Sequence, residues 1–214
     1  SDVSGKTRLW YDRNAKFSKP VKFYNTYVPA KEITNPKYYV IPQSEWKVID
    51  LLKLNQIKMI PIKQDSTITV EQYRIKDFKT VPNPYEGHYL HYDTFVTKES
   101  GKIKFRAGDF LVPLNQDGVK FLLETLEPEA VDSYFNWNFF DAILGQKEYY
   151  SAYVFEDTAT KLLKDNKALK TAFELEKTNN PKFAEDGQAQ LDWVYKHSDY
   201  YEKTHQLYPI FRVN

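Results

Sequence analysis

Hydrophobic positions recur along this chain with two periods. After a mixed, polar opening over residues 1–19, "VKFYNTYVPAKEIT" is rich in Val, Tyr and Phe and reads as an extended segment, with Pro29 marking an edge or a break. "YYVIP", Tyr38 to Pro42, is a short apolar strand. In "SEWKVIDLLKLNQ" the positions Val48, Leu51 and Leu52 share a helix face that Trp46 and Ile49 widen, with Ser44 placed to cap it. "IKMIPI" then returns as a strand. Strand, helix, strand is a β-α-β unit, whose strands run parallel if they lie in one sheet.

From Ser66 to Asp109 the alternation becomes β-like. "STITVEQYRIKDF", "GHYLHYDTFVTKE" and "GKIKFRAGDFLVPL" are separated by "PNPYEG" and "SG" and predict antiparallel strands. Val119, Leu122, Leu123 and Leu126 then follow at helical spacing, stopped by Pro128, which makes a second strand-then-helix unit. "DSYFNWNFFDAIL" packs five aromatic residues between two aspartates and ends at Gly145, a helix-terminating glycine if the stretch is helical. "YYSAYVFED" is a strand candidate that its length does not separate from a helix. "DTATKLLKDN", "KALKTAFELEK" and "AQLDWVYKHS" predict helices, with Asp157 and Asn166 as cap candidates, before an extended tail, "YYEKTHQLYPIFRV".

This order predicts a mixed α/β (α+β) fold: β-α-β units on a mixed sheet, a β-rich middle and C-terminal helices. The expected organisation is a polar extension over 1–19, a core over 20–156 and a helical part over 157–214 packed on the same domain. With 214 residues the chain can bury a sizeable core. Its 30 Lys and Arg balance 29 Asp and Glu without a block of like charge, which argues against nucleic acid or an anionic membrane as partner and leaves small molecules, peptides or protein. No apolar run approaches the ~18 residues of a membrane span. The absence of cysteine removes disulfides, thiolate metal sites and cysteine nucleophiles. The opening at Ser1 without a signal peptide suits a processed product or a piece of a longer protein.

Candidate chemistry is thin. None of His88, His91, His197 and His205 begins a His-x-x-Glu pattern, and His88 and His91, three apart, would point to opposite faces of a strand. Glu124 and Glu127 lie at helical spacing, with Glu129 and Asp132 following. A solvated helix face explains them better than acid–base work. There is no Gly-x-Gly-x-x-Gly, no P-loop and no Gly-x-Ser-x-Gly elbow.

Three blocks do line up in order: "YYVIPQSEWKVIDLLKLNQIKM", "FRAGDFLVPLNQDGVKFLLETLEPEAVDSYFNWNFFDAIL" and "YYSAYVFEDTATKLLKDN…QAQLDWVYKHSDYYEKTHQLYPIFRV". Together they resemble the region C-terminal to the catalytic domain in large bacterial zinc carboxypeptidases of the peptidase M14 family, of the Bacteroidetes type, over roughly residues 20–213. The resemblance implies a non-catalytic accessory domain of an exported, secreted or periplasmic enzyme, supporting or restricting the upstream catalytic domain of the same polypeptide. It implies no catalytic, cofactor or metal residue in this chain. The zinc, its His-x-x-Glu pair and later His, the carboxylate-binding Arg and the water-activating Glu would all lie upstream.

If the aromatic stretch is helical, Phe135, Phe139 and Ala142 form one stripe and Tyr134, Trp137 and Asp141 another. Aromatics then cover more than one face, which suits core packing first and makes Tyr134, Trp137 and Phe140 the candidates for docking or binding. Two other classes of function remain open. One is a glycan- or peptide-binding module using the doublets Tyr38-Tyr39, Tyr149-Tyr150 and Tyr200-Tyr201. The other is a hydrolase that brings Glu124 or Glu127 to His88 or His91.

Overall fold

The computed structural model describes residues 1–29, 31–147 and 149–214. These divide into two units, Ser1–Thr34 and Asn35–Asn214. Among its described residues the first unit has no helix or strand, so the Val-, Tyr- and Phe-rich segment after residue 20 forms no strand. It has only short turns such as that closed by Gly5 N donating to Ser1 O.

The second unit is built on β1 (Tyr38–Ile41), α1 (Trp46–Leu54), β2 (Ile60–Pro61), β3 (Ser66–Thr80), β4 (His91–Phe105), β5 (Phe110–Pro113) and α2 (Val119–Leu126). Four helices, α3 (Ala152–Asp165), α4 (Lys167–Asn179), α5 (Pro181–Glu185) and α6 (Gly187–Lys196), precede the last strand, β6 (Phe211–Val213). The fold is mixed α+β, with one six-stranded sheet in the order β2-β5-β1-β6-β3-β4. Every pairing between neighbours is antiparallel. Strands β1 and β2 do run the same way, as a β-α-β unit requires, but β5 lies between them and is antiparallel to both.

The continuous apolar run of β1 reflects burial on both faces. Tyr39 and Ile41 enter the core beneath α1 and α2, and Val40 packs on the other face with Phe105 and Phe211. Pro61, which cannot donate to a ladder, sits on the edge strand β2. Glycine is required once near the core, at Gly118 before α2. Its φ is +85°, and a Cβ there would lie 2.8 Å from Ile57 Cδ1.

The predicted strand segments divide differently: the second and the start of the third form β4, and the end of the third is β5. Ser100-Gly101 is no turn: Gly101 of β4 pairs with Val70, and β3 and β4, fifteen residues each, form a hairpin interrupted by irregularities around Asp77. "YYSAYVFED" is the start of α3 instead of a strand, with Asp157 inside the helix and not at its cap. Asn166 does cap α4, its Oδ1 accepting from Leu169 N at 3.0 Å, and Asn180 and Asp186 repeat the device at α5 and α6. Single capping residues thus join four helices, α3 to α6, which enclose a second core of Phe155, Phe173, Phe183, Leu191 and Val194.

The aromatic stretch is not an α-helix. It is a run of turns closed by one 3-10 turn at Asp141–Ile143. Polar side chains take the backbone partners that a helix would need: Ser133 Oγ donates to Pro128 O and accepts from Asn136 N, while Asn136 Nδ2 donates to Ala130 O at 2.8 Å. Asn138 adopts a left-handed φ of 64°.

Candidate functional site

Glu127 is the most chemically loaded position. It ends α2, where a carboxylate opposes the helix dipole, and its extended backbone turns it inward to 4% exposure. Tyr39 Oη donates to its Oε1 at 2.5 Å and Tyr73 Oη to its Oε2 at 2.8 Å. Arg212, 2% exposed, brings Nε to 3.2 Å of Oε1, and its Nη1 pairs with Glu71, against which Lys98 Nζ lies at 3.9 Å. The guanidinium also rests over the Tyr73 ring, 5.3 Å from its centroid. Lysine, glutamate, arginine and glutamate therefore alternate from the surface inward. Burial first, and the Glu127 carboxylate second, push the phenols of Tyr39 and Tyr73 far above their ordinary value of 10.0. Tyr208 is raised for the same reasons, and its Oη donates to Leu126 O at 2.8 Å. With Glu127 and Arg212 buried at its inner end, this cluster ties α2 to the sheet.

A second cluster lies where the aromatic stretch meets the β3–β4 hairpin. His91 Nδ1 is 2.9 Å from Thr80 Oγ1, its Nε2 is 3.0 Å from Asp141 Oδ1, and its backbone N donates to Asn136 O at 2.9 Å. Thr94 Oγ1 donates to Asn136 Oδ1 at 2.8 Å. The stretch is thus pinned to the beginning of β4.

A third cluster joins the approach to α3 with α6. Tyr149 and Tyr150 stack at 4.7 Å and both donate to Asp192 Oδ1, at 2.8 and 2.5 Å. Partial desolvation works against the Asp192 charge, but the two phenols, with Lys196 nearby, outweigh it and hold the carboxyl below its usual range.

Of the residues singled out in the sequence, Tyr134 and Phe140 lie in the main core, with Tyr134 against Phe139 and Phe140 edge-on to Tyr208. Trp137 is half-buried, edge-on to Tyr85 and His88 with ring centroids 6.4 and 5.5 Å away. Glu124 is exposed. Neither His88 nor His91 is among the hydrogen-bond partners of Glu127, and the carboxylate brought to His91 is that of Asp141. Each tyrosine doublet splits: Tyr39, Tyr150 and Tyr201 turn inward, and Tyr38, Tyr149 and Tyr200 are exposed. The Glu127 cluster escaped the sequence reading, which placed this residue on a solvated face. Its partners lie 88 and 54 positions upstream and near the C-terminus, beyond the reach of helical spacing. Among the described residues no three His, Asp or Glu side chains gather as metal ligands would, and no helix is long and apolar enough to cross a membrane.

Comparison with family models, with curated proteins and with solved structures gives no match for this chain.

Proposed function

We propose that the chain is a non-catalytic accessory domain that docks on a catalytic domain of the same polypeptide through its first 34 residues. The observation that carries this reading is the surface of that segment. Ten large apolar side chains, among them Trp10, Phe17, Phe23 and Tyr27, are 66–99% exposed there. Exposure of that density marks an interaction surface. The enclosed state of Glu127 and Arg212 is consistent with a scaffold role for the chain's strongest polar cluster. The sequence blocks that resemble M14 zinc carboxypeptidases make an exported enzyme of that kind the parent, with zinc held upstream and this domain supporting or restricting its cleft.

The test replaces Trp10, Phe17 and Phe23 by Ser in the full-length polypeptide. Docking predicts a lower melting temperature for the catalytic domain, and a change in kcat/KM that is larger for long peptides than for short ones. Unchanged melting and unchanged peptide-length dependence defeat the docking reading. An upstream frame without an ordered His-x-x-Glu and later His defeats the choice of parent.

A further inference from the structure

Helices α3, α4 and α6 leave an open groove of about 1040 Å³ between them. Its floor is apolar, formed by Leu163, Phe173, Leu191 and Val194. Its rim carries Tyr153, 92% exposed, and two carboxylates, Glu156 and Asp157, which among the described residues are the only charged ones that line it. Neither carboxylate has a hydrogen-bond or ion-pair partner among the described residues.

The amide donors of the groove are already used. Gln190 Nε2 donates to Phe183 O at 2.9 Å and to Ala184 O at 3.0 Å, and Gln188 Nε2 donates to Tyr150 Oη at 2.9 Å. The short bond from Tyr150 Oη to Asp192 fixes that phenol as an acceptor toward Gln188, which sets the amide orientation. Gln188 Nε2 also lies 3.5 Å from Asp192 Oδ1, so both amide nitrogens are committed to protein acceptors and the carbonyl oxygens are the uncommitted ends of the two side chains. Apart from the hydroxyls of Tyr153 and Thr160, the side chains offer acceptors and negative charge over an apolar floor.

We infer that this groove binds a peptide segment of another protein whose apolar side chains fill the floor and whose Lys or Arg side chains meet Glu156 and Asp157. A trough of this size and openness suits an amphipathic chain segment better than a small molecule, which is normally enclosed on most sides. Charge complementarity selects a basic segment over an acidic one, because an acidic segment would face the two carboxylates and the glutamine carbonyl oxygens with only the Tyr153 and Thr160 hydroxyls as side-chain donors. This inference does not depend on the accessory-domain reading.

The experiment is an NMR titration of the whole chain with a short amphipathic peptide of leucine and lysine, and with its leucine–glutamate twin. The basic peptide should shift resonances of Tyr153, Gln188 and Leu191, and the acidic twin should not. The double variant Glu156→Lys, Asp157→Lys should weaken binding ~10-fold or more, which corresponds to about 1.4 kcal/mol. Tyr153→Ala should also weaken it, whereas Glu124→Lys, on the exposed side of α2, should leave it unchanged. All these side chains are exposed, so the variants retain the fold. The inference is overturned if both peptides bind alike, if Glu124→Lys weakens binding as much as the double variant, or if the basic peptide gives no shifts in the groove. Groove shifts that grow with protein concentration in the absence of peptide assign the site to a second copy of this chain and overturn it as well.

Discussion

Glu127 concentrates the electrostatics of the main core, because three groups from β1, β3 and β6 converge on its buried carboxylate. Removing one partner of a buried ion pair leaves the other uncompensated. Arg212→Met is therefore expected to destabilise the fold by about 3–5 kcal/mol in denaturant unfolding. Tyr39→Phe deletes one hydrogen bond to a charged acceptor but leaves Tyr73 and Arg212 in place, so a loss of about 1.5–3 kcal/mol is expected. The raised phenols also set a pH dependence. Below pH ~10 the phenols are protonated in folded and unfolded chains alike, and their contribution is constant. Above it the unfolded chain ionises while buried Tyr39, Tyr73 and Tyr208 hold their protons, so stability falls as pH rises. Each such phenol removes about 1.4 kcal/mol per pH unit in that window. Unfolding midpoints measured from pH 8 upward should drop beyond pH ~10, with the exposed phenols ionising first and the remaining tyrosinate absorbance appearing together with unfolding. Early, non-cooperative ionisation of all tyrosines would show these phenols to be accessible. None of this was legible in the sequence, where Glu127 is one acid among four near the end of a helix and its partners carry no local signature.

At the scale of elements, the helical periodicity of α1 and α2 and the Asn166 cap were read correctly, whereas Ser44 and Asp157 do not cap their helices and the segment after residue 20 forms no strand among the described residues. Val119, Leu122 and Leu126 announce α2, and Asn166 announces the start of α4, because helical periodicity and capping act within a few residues. The aromatic stretch was harder. Its spacing suits a helix, yet Ser133 and Asn136 spend their side chains on local backbone, Asn138 reverses the chain, and the partners that make this favourable, Thr94 and the His91 amide, come from β4. The same residues predict the consequence of breaking the turn. Ser133→Ala removes the only side-chain partner of Asn136 N in a fully buried site and should cost about 1–3 kcal/mol, with no change in helix content by circular dichroism. A rise in helix content would show that the stretch reverts to the helix its periodicity favours. The Ser100-Gly101 pair misled for a related reason: a dipeptide that usually punctuates a chain is held extended within Val96–Phe105, a stretch of β4 paired continuously with β3.

For the whole molecule, the telling feature is that the sheet closes last at its middle. β6 inserts between β1 and β3, and within a few residues it delivers Tyr208, Ile210, Phe211 and Arg212 to the two core faces and to Glu127. The tail was recognisable as extended, but an extended tail gives no clue that its neighbours are strands some 140 and 170 positions earlier. Until it arrives, β1 and β3 each expose a row of unpaired backbone groups, and the Glu127 carboxylate faces its phenols without the compensating guanidinium. Long-range pairing of this kind is slow and is reached only after loop closure, so folding should wait for the complete chain. A chain ending at Leu207 is therefore expected to show no cooperative unfolding transition, to bind hydrophobic dyes and to retain helix signal from α3, α4 and α6, whose core is built from its own residues. A synthetic peptide covering Tyr208 to Asn214 should restore the cooperative transition in trans, and the same peptide carrying Arg212→Met should restore it poorly. If the shortened chain keeps a single sharp transition at the original denaturant concentration, β6 is an ornament on a sheet already closed, and the assignment of Arg212 as the keystone of the core is wrong.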